Sequence, residues 1–364
     1  MVNNIQIIDP TQYKGWDDLI LGNPHYSFFH SSIWAEVLKR SYGYAPLYIV
    51  EFGNTGISSL LPVMEVKSIF TGRRGISLPF TDHCEPICNG NIGFVHLFNQ
   101  GIEFGRKHGW KYMELRGGYS LNPDSFSLNS EITRNSHPET WNMIPFLTYL
   151  THTLSLRKGE KAVYKKLRES TKRNIKKAIS EGVEVRISDL PESMEQFCHL
   201  NSRTRRRHGL PPQPFSFFRN VLELLIKKGH GMVVLGFYDG RAIAGSVFFH
   251  FGKRAIFKYG ASNLKYQHLR ANNLVMWEAI RYYCEKGFEN LSLGRTEPDN
   301  QGLLQFKSGW GTTEHQINYY RYDLKRGSFV SGSSSVTGFH NKIFRNMPLP
   351  LLKGIGSVFY KHVG

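Results

Sequence analysis

The sequence predicts an α/β (α+β) chain built as two tandem, duplicated halves, and three observations carry that prediction. With 364 residues, 40% of them hydrophobic and 13% aromatic, the chain is long and apolar enough for two ordinary cores. Each half reads as a pair of apolar strands joined by a tight turn, then a helix that ends in Gly-aromatic and passes straight into another strand. The third observation is spacing. Ile102, Gly109 and Leu115 recur as Ile280, Gly287 and Leu293, at a constant offset of 178 residues.

In the first half, Leu47–Phe52 reads as a strand, Asn54 and Gly56 as a turn, and Ser58–Val66 as the next strand. A helix follows and ends at Gly109, where only glycine adopts the left-handed C′ conformation without strain. Trp110 then leads into a strand over Met113–Leu115. The segment Arg157–Lys177 is strongly basic, and Val163, Leu167, Ile175 and, just past it, Ile179 recur at helical spacing. It predicts a helix broken near Ser170, whose cationic side is either a solvated face or a surface for phosphate. In the second half, Met232–Tyr238 and Ala242–Phe251 flank the hairpin turn Asp239-Gly240, and Arg254–Ala261 is a third strand. A helix ends at Gly287-Phe288, and Leu291–Leu293 is the strand after it.

These readings divide the chain into a first domain over 1–152, a second over 153–325 with its basic helix at 157–180, a Gly/Ser linker at 326–338, and a basic amphipathic tail at 339–364. The tail contains no acidic residue. It either docks back on the body or lies on an acidic membrane face.

Charge narrows the partners without naming one. Lys and Arg number 46 against 29 Asp and Glu, a net +17, which favours nucleic acid, phosphorylated substrates or an acidic lipid face. Met1–Asp18 holds no apolar segment of the secretory kind, and no run of apolar residues is long enough to span a bilayer. Four cysteines do not make a disulfide scaffold in a chain of this size, so a reduced, cytoplasmic setting is expected. Walker A, G-x-G-x-x-G, G-x-S-x-G and H-E-x-x-H patterns are absent. His83-Cys84 with Cys88 is the nearest approach to a metal half-site. Its only complement, Cys198-His199, has the wrong spacing, so no metal is expected.

The most informative stretch is Leu291-Ser-Leu-Gly-Arg295, a polar loop, then Phe306-Lys307-Ser-Gly309-Trp-Gly311. A strand, a loop and a glycine-flanked lysine suit the rim of a cleft. With it stand Phe28–Trp34, Leu78-Pro79-Phe80, Tyr112–Arg116, Lys172–Ala178 with Gly182-Val183, Asn272–Glu278, Met347–Leu352 and Gly354-Ile-Gly356. Together, over essentially the whole chain, these resemble the FemAB-related proteins of exosortase and exopolysaccharide systems, a Fem-type branch of the GNAT superfamily. The resemblance implies two tandem GNAT-like domains, each a central mixed sheet flanked by helices, with a ligand cleft between or beside them. It also implies N-acyl transfer, in which an amine on a cell-envelope or polysaccharide precursor attacks an acyl or aminoacyl group carried by acyl-CoA or aminoacyl-tRNA. The chain departs from both donor patterns. It lacks the heptad run of a Fem coiled-coil arm, and Asn263–Asn273, where a CoA-binding loop is expected, lacks glycines and offers Lys265, His268 and Arg270 instead.

Aminolysis of an acyl group needs a deprotonated amine, donors for the oxyanion and aligned substrates. The resemblance puts Lys307 at the oxyanion or donor carbonyl. Arg295 either clamps a phosphate or carboxylate or forms a structural ion pair. Arg173 and its neighbours suit a tRNA backbone or a nucleotide-linked acceptor. Tyr259 faces either the cleft or the core, and Asp82 and His83 are the candidate bases. Trp34, Lys265, Arg270 and Phe306 complete the expected substrate-binding set. The rival expectation is a non-catalytic nucleic-acid or membrane-surface binding protein on the same scaffold, free in the cytoplasm or peripheral at the inner membrane face.

Overall fold

The computed structural model describes residues 5–54, 56–88, 90–117, 143–332 and 339–364. In chain order they form β1 (Ile5–Ile8), α1 (Trp16–Leu21), a 3-10 turn at Phe28–His30, α2 (Ser32–Tyr42), β2 (Ala45–Pro46), β3 (Tyr48–Gly53), β4 (Gly56–Leu61), β5 (Met64–Ser68), β6 (Gly72–Ile76), α3 (Gly90–Lys107) and β7 (Trp110–Arg116). There follow β8 (Leu147–Ser155), α4 (Gly159–Lys166), α5 (Glu169–Ser180), β9 (Glu184–Ser188), α6 (Pro191–Arg207), and α7 (Phe215–Val221) with a π-helical turn at Leu222–Ile226. Next come β10 (Gly231–Tyr238), β11 (Arg241–Phe251), β12 (Arg254–Ser262), a 3-10 segment at Leu264–Leu269, α8 (Ala271–Glu285), β13 (Asn290–Thr296) and α9 (Gln301–Ser308). The chain closes with β14 (Thr313–Asp323), β15 (Ser328–Val330), α10 (Phe339–Asn346) and α11 (Leu349–Val363). They group into two compact units, one within residues 1–149, 316–334 and 361–364, the other within 150–315 and 335–360.

In the first unit, β1, β3 and β4 make a small antiparallel sheet, and β2, β5, β6 and β7 run in order through a second one. Ser58–Val66, expected as one strand, is two. Pro62 donates no hydrogen bond, so the ladder stops there, and β4 and β5 enter different sheets. The crossover from β6 to the parallel β7 passes through α3, whose Phe94, Leu97, Phe98 and Ile102 pack on Trp110, Met113 and Leu115.

The second unit repeats this plan. β9, β10, β11 and β12 form an antiparallel run, β13 lies parallel to β12 after the crossover through α8, and β8 pairs antiparallel with β13. The glycines matched at the 178-residue offset both end their helices in the left-handed region, Gly109 at φ 70° and Gly287 at φ 68°. Asp239 and Gly240, both at positive φ, make the predicted hairpin turn. Residue alternation sorts the helices. A side chain at Gly236 would strike Val275 of α8, and one at Gly245 would strike Phe197 of α6, so α8 and α6 cover opposite faces of this sheet.

Several expectations need correction. The second domain does not run to 325: from Gln316 onward β14 belongs to the first unit, where Tyr319–Asp323 pair with Tyr112–Arg116 of β7. A ladder between residues about two hundred apart leaves no local trace in a sequence. The expected linker begins as structure, since β15 pairs with Arg321–Asp323 and Phe329 packs among Phe98, Tyr320 and Tyr322. Its remainder at 333–338 lies outside the described residues. The basic segment is a broken helix as predicted, but the break is at Leu167 and Arg168, both extended, and Ile179 points outward. Within the tail, Leu352 and Tyr360 are buried, and Gly356 packs too closely on the Pro212 carbonyl to admit a Cβ. The Tyr360 hydroxyl donates to the Pro211 carbonyl at 3.0 Å and accepts from Arg205 at 2.7 Å. That stripe of α11 therefore docks on the body. Among the described residues no helix is long and apolar enough to cross a membrane.

Candidate functional site

The strands β12 and β13 pair only over Arg254–Ile256 and Asn290–Ser292, although both continue beyond. The second unit holds a cavity of about 490 Å³ at the end of β12 and the start of α8. Its floor is built by the chain leaving β12. Asn263 caps the following turn, accepting from the Lys265 amide at 3.1 Å, and Arg270 takes a left-handed conformation (φ 58°, ψ 23°) that turns the chain into α8. Asn272 and Asn273 in the first turn of α8 line the cavity with Arg270, so helix-terminal amides and a guanidinium share one opening. That combination suits an anion by charge and by dipole.

The other walls come from α5 and α9. Ser170, Thr171 and Asn174 line it from α5, and Gln305 and Phe306 from α9. Arg168 ties these two helices together, donating to the Gln305 carbonyl at 3.3 Å and to the Ser308 hydroxyl at 2.9 Å. The phenyl ring of Phe306 meets Trp310 edge-on at 5.9 Å, which braces the apolar part of the wall.

Lys307 follows Phe306 but turns inward. It is buried, and its ammonium donates to the Gly294 carbonyl at 2.8 Å and the Arg295 carbonyl at 3.0 Å. Those carbonyls belong to the irregular step in β13 between Ser292 and Arg295, where Gly294 sits at φ 70°. The lysine thus holds the bulge by its carbonyls.

Beside it lies a group that sequence reasoning missed. His152 of β8 is fully buried, with Nε2 3.1 Å from the half-exposed carboxylate of Glu314. Burial first, and the Lys307 charge second, hold the imidazole below its ordinary pKa, against the pull of Glu314. Among the described residues the Nδ1 atom of His152 and the hydroxyls of Thr151 and Thr296 are buried without a hydrogen-bond partner. Single histidines and threonines on strands carry no sequence signal; only the β8–β13 register brings them together.

The expected site residues therefore separate. Arg270 and Phe306 line the cavity. Lys265 stays outside its lining and packs over Tyr266, and Arg173 is exposed on α5. Arg295 offers its carbonyl to Lys307. Tyr259 is a correction: strand alternation turns it to the α6 face, where its ring packs with Phe217, Phe218 and Phe249, away from the cavity lining. Trp34 is another. It is 0% exposed and packed against Phe28 and Phe29 in the core of the first unit, so it touches no substrate in this conformation. Asp82 and His83 also belong to the first unit; the Asp82 carbonyl accepts from Tyr319 at 2.6 Å, and the His83 ring lies 6.5 Å from Phe29. Cys84 is buried, with its thiol pushed far up by desolvation, and the described residues contain no cluster suited to a metal ion.

A family model described as an acetyltransferase (GNAT) domain matches residues 165–308, from the end of α4 to the end of α9. Among solved structures, FemX aligns over 85% of this chain and 96% of its own, with a TM-score of 0.66 at 14% identity. A tandem GNAT protein from the clavulanic acid biosynthesis pathway aligns over 88% and 98%, with a TM-score of 0.53 at 11% identity. A C-terminal domain from Agrobacterium fabrum, named for lysylphosphatidylglycerol synthetase, aligns over 79% and 86%, with a TM-score of 0.52 at 14% identity. No curated protein matches the sequence significantly. At these identities the structural likeness is one of fold, and it agrees with the duplicated architecture described above.

Proposed function

We propose that this chain, a FemAB-like acyltransferase of the GNAT fold, takes a phosphate-bearing acyl donor into the cavity at the start of α8, with acyl-CoA as the donor class. The observation that carries this reading is the convergence of Arg270, the first turn of α8 and the polar side of α5 on one opening. Phosphate oxygens accept hydrogen bonds from these groups.

Each group has a distinct part in the chemistry. The acceptor amine attacks the acyl carbonyl, a C–N bond forms, the C–S bond to the donor thiol breaks, and the amine proton leaves to a base or to water. Arg270 and the α8 amides bind and orient the donor. Lys307 acts through the backbone it fixes, because two of its three ammonium protons are directed at carbonyls. The resemblance noted in the sequence makes the acceptor an amine on a cell-envelope or polysaccharide precursor.

A charged tRNA is the second reading, favoured by the exposed cations Arg173, Lys176 and Lys177 on α5, whose Asn174 lines the same cavity. Native mass spectrometry of the full chain with acetyl-CoA, with aminoacyl-tRNA and with uncharged tRNA separates the two. Saturable acetyl-CoA binding that weakens in Arg270→Ala supports the proposal. Binding of charged tRNA alone moves the donor to the second reading, and binding of neither removes both.

A further inference from the structure

We propose that the tip of the β5–β6 hairpin, with the last turn of α11, is a membrane-docking wedge for an anionic lipid bilayer. This goes beyond the donor cavity and does not depend on it. Ile69 is 85% exposed and Phe70 is 66% exposed, the two largest exposures of any large hydrophobic side chain among the described residues. Two adjacent bulky apolar residues at a turn are costly in water, and a turn has no need of them.

The tip is an ordered projection. The Ser68 hydroxyl accepts from the amides of Phe70 at 3.2 Å and Thr71 at 3.1 Å, closing the turn so that the two side chains stand outward. Behind it, the buried Arg74 donates to the Thr71 hydroxyl at 2.5 Å and to the carbonyls of His362 at 2.6 Å and Gly364 at 3.2 Å. The Phe70 ring meets His362 edge-on at 4.9 Å, and the next residue, Val363, is 50% exposed. A buried arginine therefore fixes hairpin and helix end to one another, and three apolar side chains project from that joint.

Charge selects the partner. Lys67, Arg73 and Lys361 are exposed around the tip, and the Lys111 side chain lies against Gly72 at its base. Lys67 pairs at 3.0 Å with Glu65, which is itself buried and also accepts from the Trp110 indole at 2.7 Å. Apolar residues at an apex with cations around it match the acyl boundary and the phosphate layer of an anionic bilayer, in that order of depth. A protein partner would bury the apex equally well, but it gives no reason for the surrounding ring of cations.

Co-sedimentation of the full chain with phosphatidylcholine vesicles, with and without phosphatidylglycerol as a third of the lipid, tests the proposal. The chain is expected to sediment with the anionic vesicles and not the neutral ones, and added salt should release it. Ile69→Ser with Phe70→Ser should weaken partitioning at least about tenfold while leaving the circular dichroism spectrum unchanged. Lys67→Gln with Arg73→Gln should weaken it about fivefold per charge on anionic vesicles only. The proposal fails if the apolar pair can be replaced without loss, or if neither vesicle binds. It also fails if gel filtration shows that the wild-type chain is a dimer which the Ser pair converts to a monomer, since the tip would then be covered by a second copy.

Discussion

Lys307 shows how a residue expected to face a substrate can instead face the backbone. Its place beside a glycine-rich turn marks a site rim, and the expectation was an ammonium free to meet developing charge. The structure spends it on two carbonyls of β13. Lys307→Met would remove the donor to a buried Gly294 carbonyl and a half-buried Arg295 carbonyl, at roughly 1–3 kcal/mol for the buried one. A fall in melting temperature together with lost turnover is therefore expected, whereas a purely catalytic lysine would lose turnover alone. Glu114 is the comparable residue of the first unit. It is buried between Arg116 at 2.9 Å and Arg321 at 2.6 Å. Burial pushes its carboxyl up, but the two guanidinium groups outweigh this and hold it below the usual range. Glu114→Ala strands two cations and should cost about 3–5 kcal/mol in urea unfolding.

At the scale of elements, the loop between β12 and α8 is the part of the site most legible from sequence. The family resemblance puts a CoA-binding loop at Asn263–Asn273, a stretch that is polar, basic and poor in glycine. Of its three basic residues, only Arg270 lines the cavity, because its left-handed backbone places it at the helix start. Arg270→Ala should raise the Kd for acyl-CoA about tenfold, by loss of one charge-assisted contact, with no change in melting temperature. Strand ends also carry pH sensitivity. His250, at the end of β11, has Nε2 2.7 Å from the Gly229 carbonyl and Nδ1 3.2 Å from the Tyr283 hydroxyl. Burial lowers its pKa from 6.5 to about 4. The unfolded chain takes up this proton first, so the stabilisation is complete above pH 6.5 and is lost as pH falls toward 4. The loss amounts to about 3 kcal/mol. Urea midpoints measured across that window should decline, and His250→Gln should flatten the decline.

For the whole molecule, the +17 charge acts on association more than on fold. Binding of acyl-CoA should weaken steadily as sodium chloride rises toward molar concentration, since most of the field is solvent-exposed and screened. A titration that is flat in salt would mean that the donor contacts are apolar. The duplicated plan was readable because it is written in local signals: a glycine where a helix ends, an Asp-Gly turn, apolar strands of the right length. The Pro62 break was equally written there, though Ser58–Val66 reads as one strand until the ladder on each side is known. Trp34 and Tyr259 were misplaced because an aromatic residue has the same local pattern whether it lines a cleft or fills a core. Composition and periodicity thus determined the α/β class, the repeat and the cationic character, and the family resemblance pointed to the stretch that lines the cavity. Tertiary structure alone decided that β14 returns to the first unit, that Lys307 faces backbone, that His152 meets Glu314, and that Ile69 and Phe70 stand in the open. Each of these depends on which strands share a ladder and which face is covered, and such pairings form between residues far apart in the chain.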